Sequence, residues 1–328
     1  MTGPAPLRGA DLAVIILTHN EERHLARALD AVREIATEVF VIDSFSSDRT
    51  VEIARERGAT VLQNRFVNYA RQFQWALDNA PVTSAWVMRL DADEIVEPDL
   101  ATEIRAKLPT LPADISGVVL KRKHIFMGRW IRHGGRYPLL LLRIWRRGAA
   151  RIEDRWMDEH MVLATGRTTV FDGGFADHNL NDLTFFTDKH NKYATREAID
   201  ILSARLDLYV QDRALTQAHG SAQAGRKRSV KDRIYNRLPF QVGPVAYFLH
   251  RYIVQLGFLD GKPGLVYHCL QGFWYRFLVD AKVYELEQAI AGLQSREAIL
   301  AELSRLTGHR ITAAPDLSPH TEAAAPSA

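Results

Sequence analysis

Residues 12–32 read LAVIILTHNEERHLARALDAV. The opening Leu12–Leu17 is an unbroken apolar run with β-branched residues at its centre, the composition of a strand buried on both faces. Leu25, Ala28, Leu29 and Val32 then recur at helical spacing, which predicts a helix capped near Asn20. The pattern repeats. Val39–Ile42 reads as a strand, Asp48–Arg57 as a helix closed by Gly58 at a left-handed position, and Thr60–Leu62 as the start of a third strand. A helix from about Asn68 to Asn79, stopped by Pro81, leads to a fourth strand, Trp86–Leu90. Strands separated by single helices mean βαβ units, so the fold class is α/β, with a mostly parallel sheet flanked by helices.

Composition narrows the function. The chain has 328 residues, 42 Lys and Arg against 39 Asp and Glu, and a single cysteine, Cys269. One thiol can form neither an intrachain disulfide nor a thiolate metal cluster, which fits a reducing, cytoplasmic setting. A net charge of +3 gives no overall case for nucleic acid, and no nucleic-acid motif is present. Leu12–Leu17 is too short for a signal peptide and runs straight into His19-Asn20-Glu21-Glu22-Arg23. No window reaches the ~20 uncharged residues needed to span a bilayer. Residues 1–11 read as a flexible tail, and the Ala/Pro/Ser-rich residues 313–328 as a disordered one.

In a parallel sheet the ligand sits beyond the carboxyl ends of the strands. Here those ends carry Thr18-His19-Asn20-Glu21, then Asp43-Ser44-Phe45-Ser46-Ser47-Asp48, then Asp91-Ala92-Asp93. All are polar and acidic, no basic phosphate cradle lies among them, and neither G-x-G-x-x-G nor G-x-x-x-x-G-K-[ST] occurs. If the chain stays extended, Asp91 and Asp93 point the same way, and two such carboxylates suit Mg²⁺ or Mn²⁺ shared with a diphosphate. A D-x-D alone could equally cap the next helix, since Glu94 and Glu97 crowd its start, and Asp43 and Asp48 could be turn and cap residues. Asp43 is also placed to accept hydrogen bonds from a base or ribose.

With T-H-N-E at Thr18–Glu21, D-S-F-S-S-D-R-T at Asp43–Thr50 and L-D-A-D-E at Leu90–Glu94, the sequence resembles the family 2 inverting glycosyltransferases of GT-A fold over about residues 12–200. The resemblance implies that Thr18, Glu21 and Asp43 contact the nucleoside, Asp91 the ribose or metal, and Asp93 a Mg²⁺ or Mn²⁺ on the donor diphosphate. The later R-W-M-D-E-H, K-H-N-K-Y and G-F-L-D-G-K-P-G-L stretches look most like bacterial transferases of lipopolysaccharide core or exopolysaccharide. The donor is then a nucleotide sugar, a UDP-sugar by default, and the acceptor a glycan or glycolipid.

An inverting transfer needs a carboxylate near the acceptor hydroxyl. Glu159 is the first candidate base and Asp158 the second, although either could pair with Arg151 or Arg155. His178 could complete a metal shell, and Lys192, on a helix with Lys189, His190 and Tyr193, could neutralise phosphate. From Lys121 to Arg155 there are 11 Lys and Arg against Glu153 and Asp154, a basic balance that suits an anionic acceptor. Six basic residues between Arg226 and Arg237 precede the apolar, aromatic stretches 238–254 and Trp274–Phe277. Residues 201–312 therefore read as a helical extension lying on an anionic membrane surface at the inner face of the cell membrane; a buried helical core or a dimer contact is the alternative for its apolar residues. Two other functions fit less well. A sugar nucleotidyltransferase would carry a Gly-rich basic loop after the first strand, and a non-catalytic membrane-associated module would have a damaged D-x-D.

Overall fold

The computed structural model describes residues 10–153, 160–206, 208, 242–309 and 311. The first half alternates strand and helix: β1 (Leu12–Thr18), α1 (Leu25–Val32), β2 (Glu38–Asp43), α2 (Thr50–Glu56), β3 (Thr60–Gln63), α3 (Tyr69–Asn79), β4 (Trp86–Asp91), β5 (Glu94–Val96) and α4 (Pro98–Lys107). Strands then dominate: β6 (Ile115–Phe126), β7 (Arg129–Trp130), β8 (Leu139–Arg146), β9 (Ala150–Ile152), β10 (Met161–Leu163), β11 (Arg167–Val170) and β12 (Phe175–Asp177). The main sheet has the order β3-β2-β1-β4-β8-β6-β12-β5, with β7 and β11 also on β6. β1, β2, β3 and β4 run parallel, and β8 pairs antiparallel with β4 and β6. This is the α/β, mostly parallel sheet the sequence predicts.

β1 is covered on both faces because successive side chains alternate. Leu12, Val14 and Ile16 pack with Leu25, Ala28, Leu29 and Val32 of α1, while Ala13 and Ile15 pack with Phe73 of α3 and with Trp145 and Met161. Two details differ from the expectation. α1 begins at Leu25 with His24 before it, not at a cap near Asn20, and the strand predicted to end at Ile42 runs on to Asp43.

After β12 comes α5 (Leu183–Arg205), then α6 (Val242–Leu249), a π-helical turn at His250–Val254, a 3-10 turn at Gly257–Asp260, α7 (Gly261–Tyr267), a π-helical segment at His268–Trp274, α8 (Tyr275–Ile290) and α9 (Arg296–Thr307). Ala198, Ile199 and Leu202 of α5 form a separate core with Val283, Leu286, Leu300 and Leu303. Buried Glu197 accepts from the Tyr275 hydroxyl at 2.6 Å and Arg276 at 2.7 Å. The sequence leaves the apolar residues of 242–277 as either core or exposed surface, and many are on the surface: Ile253 is 54% exposed and Val254 69%. Phe248 and Trp274 are half-buried. Among the described residues no helix is long and apolar enough to cross a membrane.

Candidate active site

Register brings the motifs to one level. Thr18 lies opposite Asp43, Asp43 opposite Gln63, and Leu17 opposite Asp91, so four strands end together. Asp43 is fully buried and accepts four hydrogen bonds: Thr18 Oγ1 at 3.2 Å, Ser46 N at 3.0 Å, Ser46 Oγ at 2.5 Å and Gln63 Nε2 at 3.1 Å. Asn20 and Phe45 both take φ of +57°, which folds the two loops tightly enough to interlock. Asn20 N donates to Ser46 Oγ (2.8 Å) and Ser47 N to Asn20 Oδ1 (2.8 Å). Glu21 N donates to Thr50 Oγ1 (2.7 Å), whose hydroxyl donates to Asp48 Oδ1 (2.5 Å). T-H-N-E and D-S-F-S-S-D-R-T are thus one interlocked unit, and Asn20 joins the loops where a helix cap was expected.

His24 ties this unit to the segment after β12. The backbone N–H of Leu180 donates to Nε2 (2.9 Å), so the ring proton sits on Nδ1 and faces Glu21 Oε2 (2.7 Å). Beside it, Arg27 donates to the His178 carbonyl (2.9 Å) and lies 3.4 Å from His178 Nδ1. Burial and then Arg27 push the His178 pKa below its ordinary value. This ring faces a guanidinium.

The D-x-D is not extended. Ala92 and Asp93 form a turn between β4 and β5, and the two carboxylates meet different partners. Asp91 accepts from the Tyr69 hydroxyl, from Arg143 Nη2 (3.2 Å) and from Arg89 Nε (3.5 Å). Burial alone would raise its pKa; Arg143, Arg89 and Tyr69 outweigh it and hold the carboxyl well below the usual range. Glu94, expected at a helix start, is instead fully buried in β5, bound by Arg143 (2.5 Å), Arg122 (3.3 Å) and the Asp91 N–H (2.9 Å). Burial, with Asp91 close by, raises it to about 7. The chain of charges continues from Arg122 to Asp177 (3.6 Å) and from His124 to Asp177 (3.1 Å).

Asp93 is different. Its Oδ2 accepts from Asn179 Nδ2 (2.9 Å), while Oδ1 takes no hydrogen bond from the described residues. Burial first, then Asp177, raise its pKa, with Lys189 of α5 opposing. Lys189 in turn is raised: Tyr193, Asp93, Asp177 and Glu21 outweigh the effect of burial. Among the described residues no group of three or more His, Cys, Asp and Glu side chains is arranged to hold a metal. The donor chemistry still fits a hard divalent cation at Asp93, an under-compensated carboxylate with an open oxygen, and not at His178.

The three loops are acidic, and the positive charge comes from outside them: Arg89, Arg122, Arg143 and Lys189 reach the carboxylates from β4, β6, β8 and α5. Lys189 rather than exposed Lys192 faces the carboxylates. Part of the Lys121–Arg155 run is turned to acids: Lys121 pairs with Asp172, Arg122 with Glu94, Lys123 with Glu97 and Arg143 with Asp91. Asp158, Glu159 and Arg155 lie outside the described residues, as does 226–237. On either side of 154–159, Glu153 N donates to His160 O at 2.9 Å. Two of the missed residues carry a readable signal: Arg89 and Arg143 interrupt apolar strands, where a guanidinium needs a carboxylate, whereas Arg122 is hidden between Lys121 and Lys123.

A family model described as Glycosyl transferase family 2 matches residues 13–176, half of the 328-residue chain and all three motif loops. The chain belongs to glycosyl transferase family 2. An uncharacterized glycosyltransferase of Rickettsia typhi is 38% identical over 93 residues, 28% of this chain and 31% of that protein. One of Rickettsia conorii is 38% identical over 93 residues, 32% of its length. The chain thus spans about a third of the length of these family 2 relatives. Among solved structures, the mannosyltransferase PcManGT from Pyrobaculum calidifontis in complex with GDP-Man and Mn²⁺ is 16% identical, with a TM-score of 0.42 over 94% of this chain and 83% of that one. Glucosyl-3-phosphoglycerate synthase from Mycobacterium tuberculosis, in complex with Mn²⁺, UDP and glucosyl-3-phosphoglycerate, is 22% identical with a TM-score of 0.30 over 34% and 43%.

The two carboxylates of the D-x-D should respond oppositely to mutation. Arg143→Met leaves buried Glu94 with Arg122 and Asp91 with Arg89 and the Tyr69 hydroxyl, and should cost about 3 kcal/mol. Asp93→Asn removes a charge the fold disfavours. Because the folded pKa of Asp93 lies above its ordinary value, the stability linked to its proton is present at low pH and lost as pH rises. Asp93→Asn should therefore melt at or above wild type at pH 7, with the gap closing toward pH 4; thermal melts across pH check this, and a large Asp93→Asn destabilisation at pH 7 contradicts it.

Proposed function

We propose that this chain is a metal-dependent inverting glycosyltransferase that moves a sugar from a nucleotide-diphosphate donor, a UDP-sugar first, to a lipid-linked, lipopolysaccharide-core or exopolysaccharide acceptor. The single observation that carries the reading is Asp93, whose Oδ1 takes no hydrogen bond from the described residues at the sheet's carboxyl edge, in a chain of family 2. The interlocked loops bearing Thr18, Glu21 and Asp43 lie at the same edge, suited to the nucleoside. Asp93, with Asp91 behind it, would hold Mg²⁺ or Mn²⁺, whose charge neutralises the departing diphosphate. Lys189 adds a second positive charge next to Asp93. The acceptor oxygen bonds to the anomeric carbon as the bond to the diphosphate oxygen breaks, and Glu159, or Asp158 beside it, takes the hydroxyl proton.

Residues 12–200 would form the transferase unit and 201–312 a helical extension resting on the anionic inner face of the cell membrane. Support comes from the exposed Val245, Leu249, Ile253, Val254, Phe258 and Leu259, apolar side chains clustered within 15 residues of sequence.

A screen of nucleotide sugars should find one donor turned over only with a divalent cation. Glu159→Gln should lower kcat by roughly 100-fold or more with donor affinity little changed; loss in Asp158→Asn but not Glu159→Gln moves the base one residue, and loss of donor binding in both removes the pair from that role. The membrane reading predicts that wild type floats with anionic vesicles at low salt and that Ile253→Ser/Val254→Ser reduces flotation. A wild type that stays in the soluble fraction contradicts it.

A further inference from the structure

Where β6 turns back into β7, Met127 and Gly128 adopt φ of +49° and +73°, and the following chain faces the 3-10 turn 257–260. Between them lies a cleft of about 480 Å³ lined by Gly128, Arg129, Trp130, Arg132, His133 and Asp260. Its floor is fixed. Buried Asp260 accepts from His133 N (2.9 Å) and His133 Nδ1 (2.7 Å), so both carboxylate oxygens are occupied and the ring's Nε2 is left to the open side. The loop beyond is pinned to the C-terminal helices, with Gly134 N donating to Gln255 O and Arg251 Nε to Gly134 O, both at 2.9 Å.

Two guanidiniums line this cleft, and its one lining carboxylate, Asp260, is taken up by His133 instead. Arg129 is exposed and reaches the Leu259 carbonyl at 3.4 Å; Arg132 is exposed and sits 5.3 Å from the Trp130 ring centroid. Among the described residues neither has an acidic partner, unlike Lys121, Arg122, Lys123 and Arg143 in the same run. Two arginines with no acidic partner among the described residues form an anion site, suited to the oxygens of a phosphate or diphosphate. The turn that supplies Asp260 also carries Phe258 and Leu259, 45% and 49% exposed, and Met127 at the hairpin tip is 63% exposed. A polar cleft rimmed by uncovered apolar side chains matches an anion attached to a hydrocarbon chain.

The cleft also adjoins the transfer site. Ile131 N donates to the carbonyl of His124, whose ring meets Asp177 beside Asp93, and His133 is two residues farther along. We propose that this cleft binds the phosphate or diphosphate of a lipid-borne acceptor, with the lipid lying over Phe258 and Leu259 and the glycan end directed toward Asp177 and Asp93. This rests on the transferase reading for the direction of the glycan, whereas the binding itself does not.

The test uses the full chain without nucleotide or metal, with farnesyl phosphate, farnesol and inorganic phosphate as probes, read by calorimetry and tryptophan fluorescence. Farnesyl phosphate should bind at least about tenfold tighter than either fragment. Arg129→Gln/Arg132→Gln should weaken it about tenfold or more with the melting temperature and nucleoside-diphosphate binding unchanged. Phe258→Ser/Leu259→Ser, also at exposed positions, should weaken farnesyl phosphate but not inorganic phosphate. Absence of farnesyl phosphate binding in wild type, equal affinity for inorganic phosphate, or undiminished binding in the arginine variant each overturns the proposal. Nucleoside-diphosphate binding, measured on the same samples with Mn²⁺, reports separately on the transferase reading.

Discussion

Arginines inside strands of a buried sheet set the terms for the rest of this molecule. Arg89 in β4 and Arg143 in β8 stand among apolar neighbours, Arg122 of β6 joins them at the same edge, and desolvated guanidiniums persist only with carboxylates in good geometry. Asp91, Glu94 and Asp177 provide them, from β4, β5 and β12. The alternating charges cross-link the central strands at the sheet's carboxyl edge and hold the turn at Ala92–Asp93 in one place. Asp91 and Glu94 are taken up in this chain of charges, whereas half-buried Asp93 accepts from Asn179 at Oδ2, with Asp177 and Lys189 acting on it from β12 and α5.

The other half of the crevice is held by backbone hydrogen bonds rather than by charge. Asn20, Glu21 and Glu22 donate from their amides to Ser46, Thr50 and Asp48, and Asp43 collects its bonds from Thr18, Ser46 and Gln63. The polarity of both loops is thus largely structural, and it would preorganise the surface that a nucleoside meets in the proposed function. On the proposed function, these loops would position the donor and Asp93 would act at its leaving group.

The first ninety residues were legible because their periodicity is clean. Leu12–Leu17, Val39–Ile42 and Trp86–Leu90 are apolar runs with helical patterns between, and these gave the strands, their parallel order and the level at which Thr18, Asp43 and Asp91 meet. Legibility ended where partners come from far along the chain. No spacing rule joins Asp91 to Tyr69 and Arg143, or Asp93 to Asn179 and Lys189, and a run such as Lys121–Arg155 reads as one basic face until the sheet shows which of its members point inward to acids. The Asn20 cap failed for the same reason: its side chain bonds Ser47, 27 residues away, in preference to the helix next to it.

The account depends on Asp93 being the point where cation and diphosphate meet. Calorimetric titration of a nucleoside diphosphate into wild type and Asp93→Asn, each with and without Mn²⁺, tests this directly. The account predicts that Mn²⁺ strengthens binding to wild type by about tenfold or more and has little effect on Asp93→Asn. Equal strengthening in both proteins would contradict it.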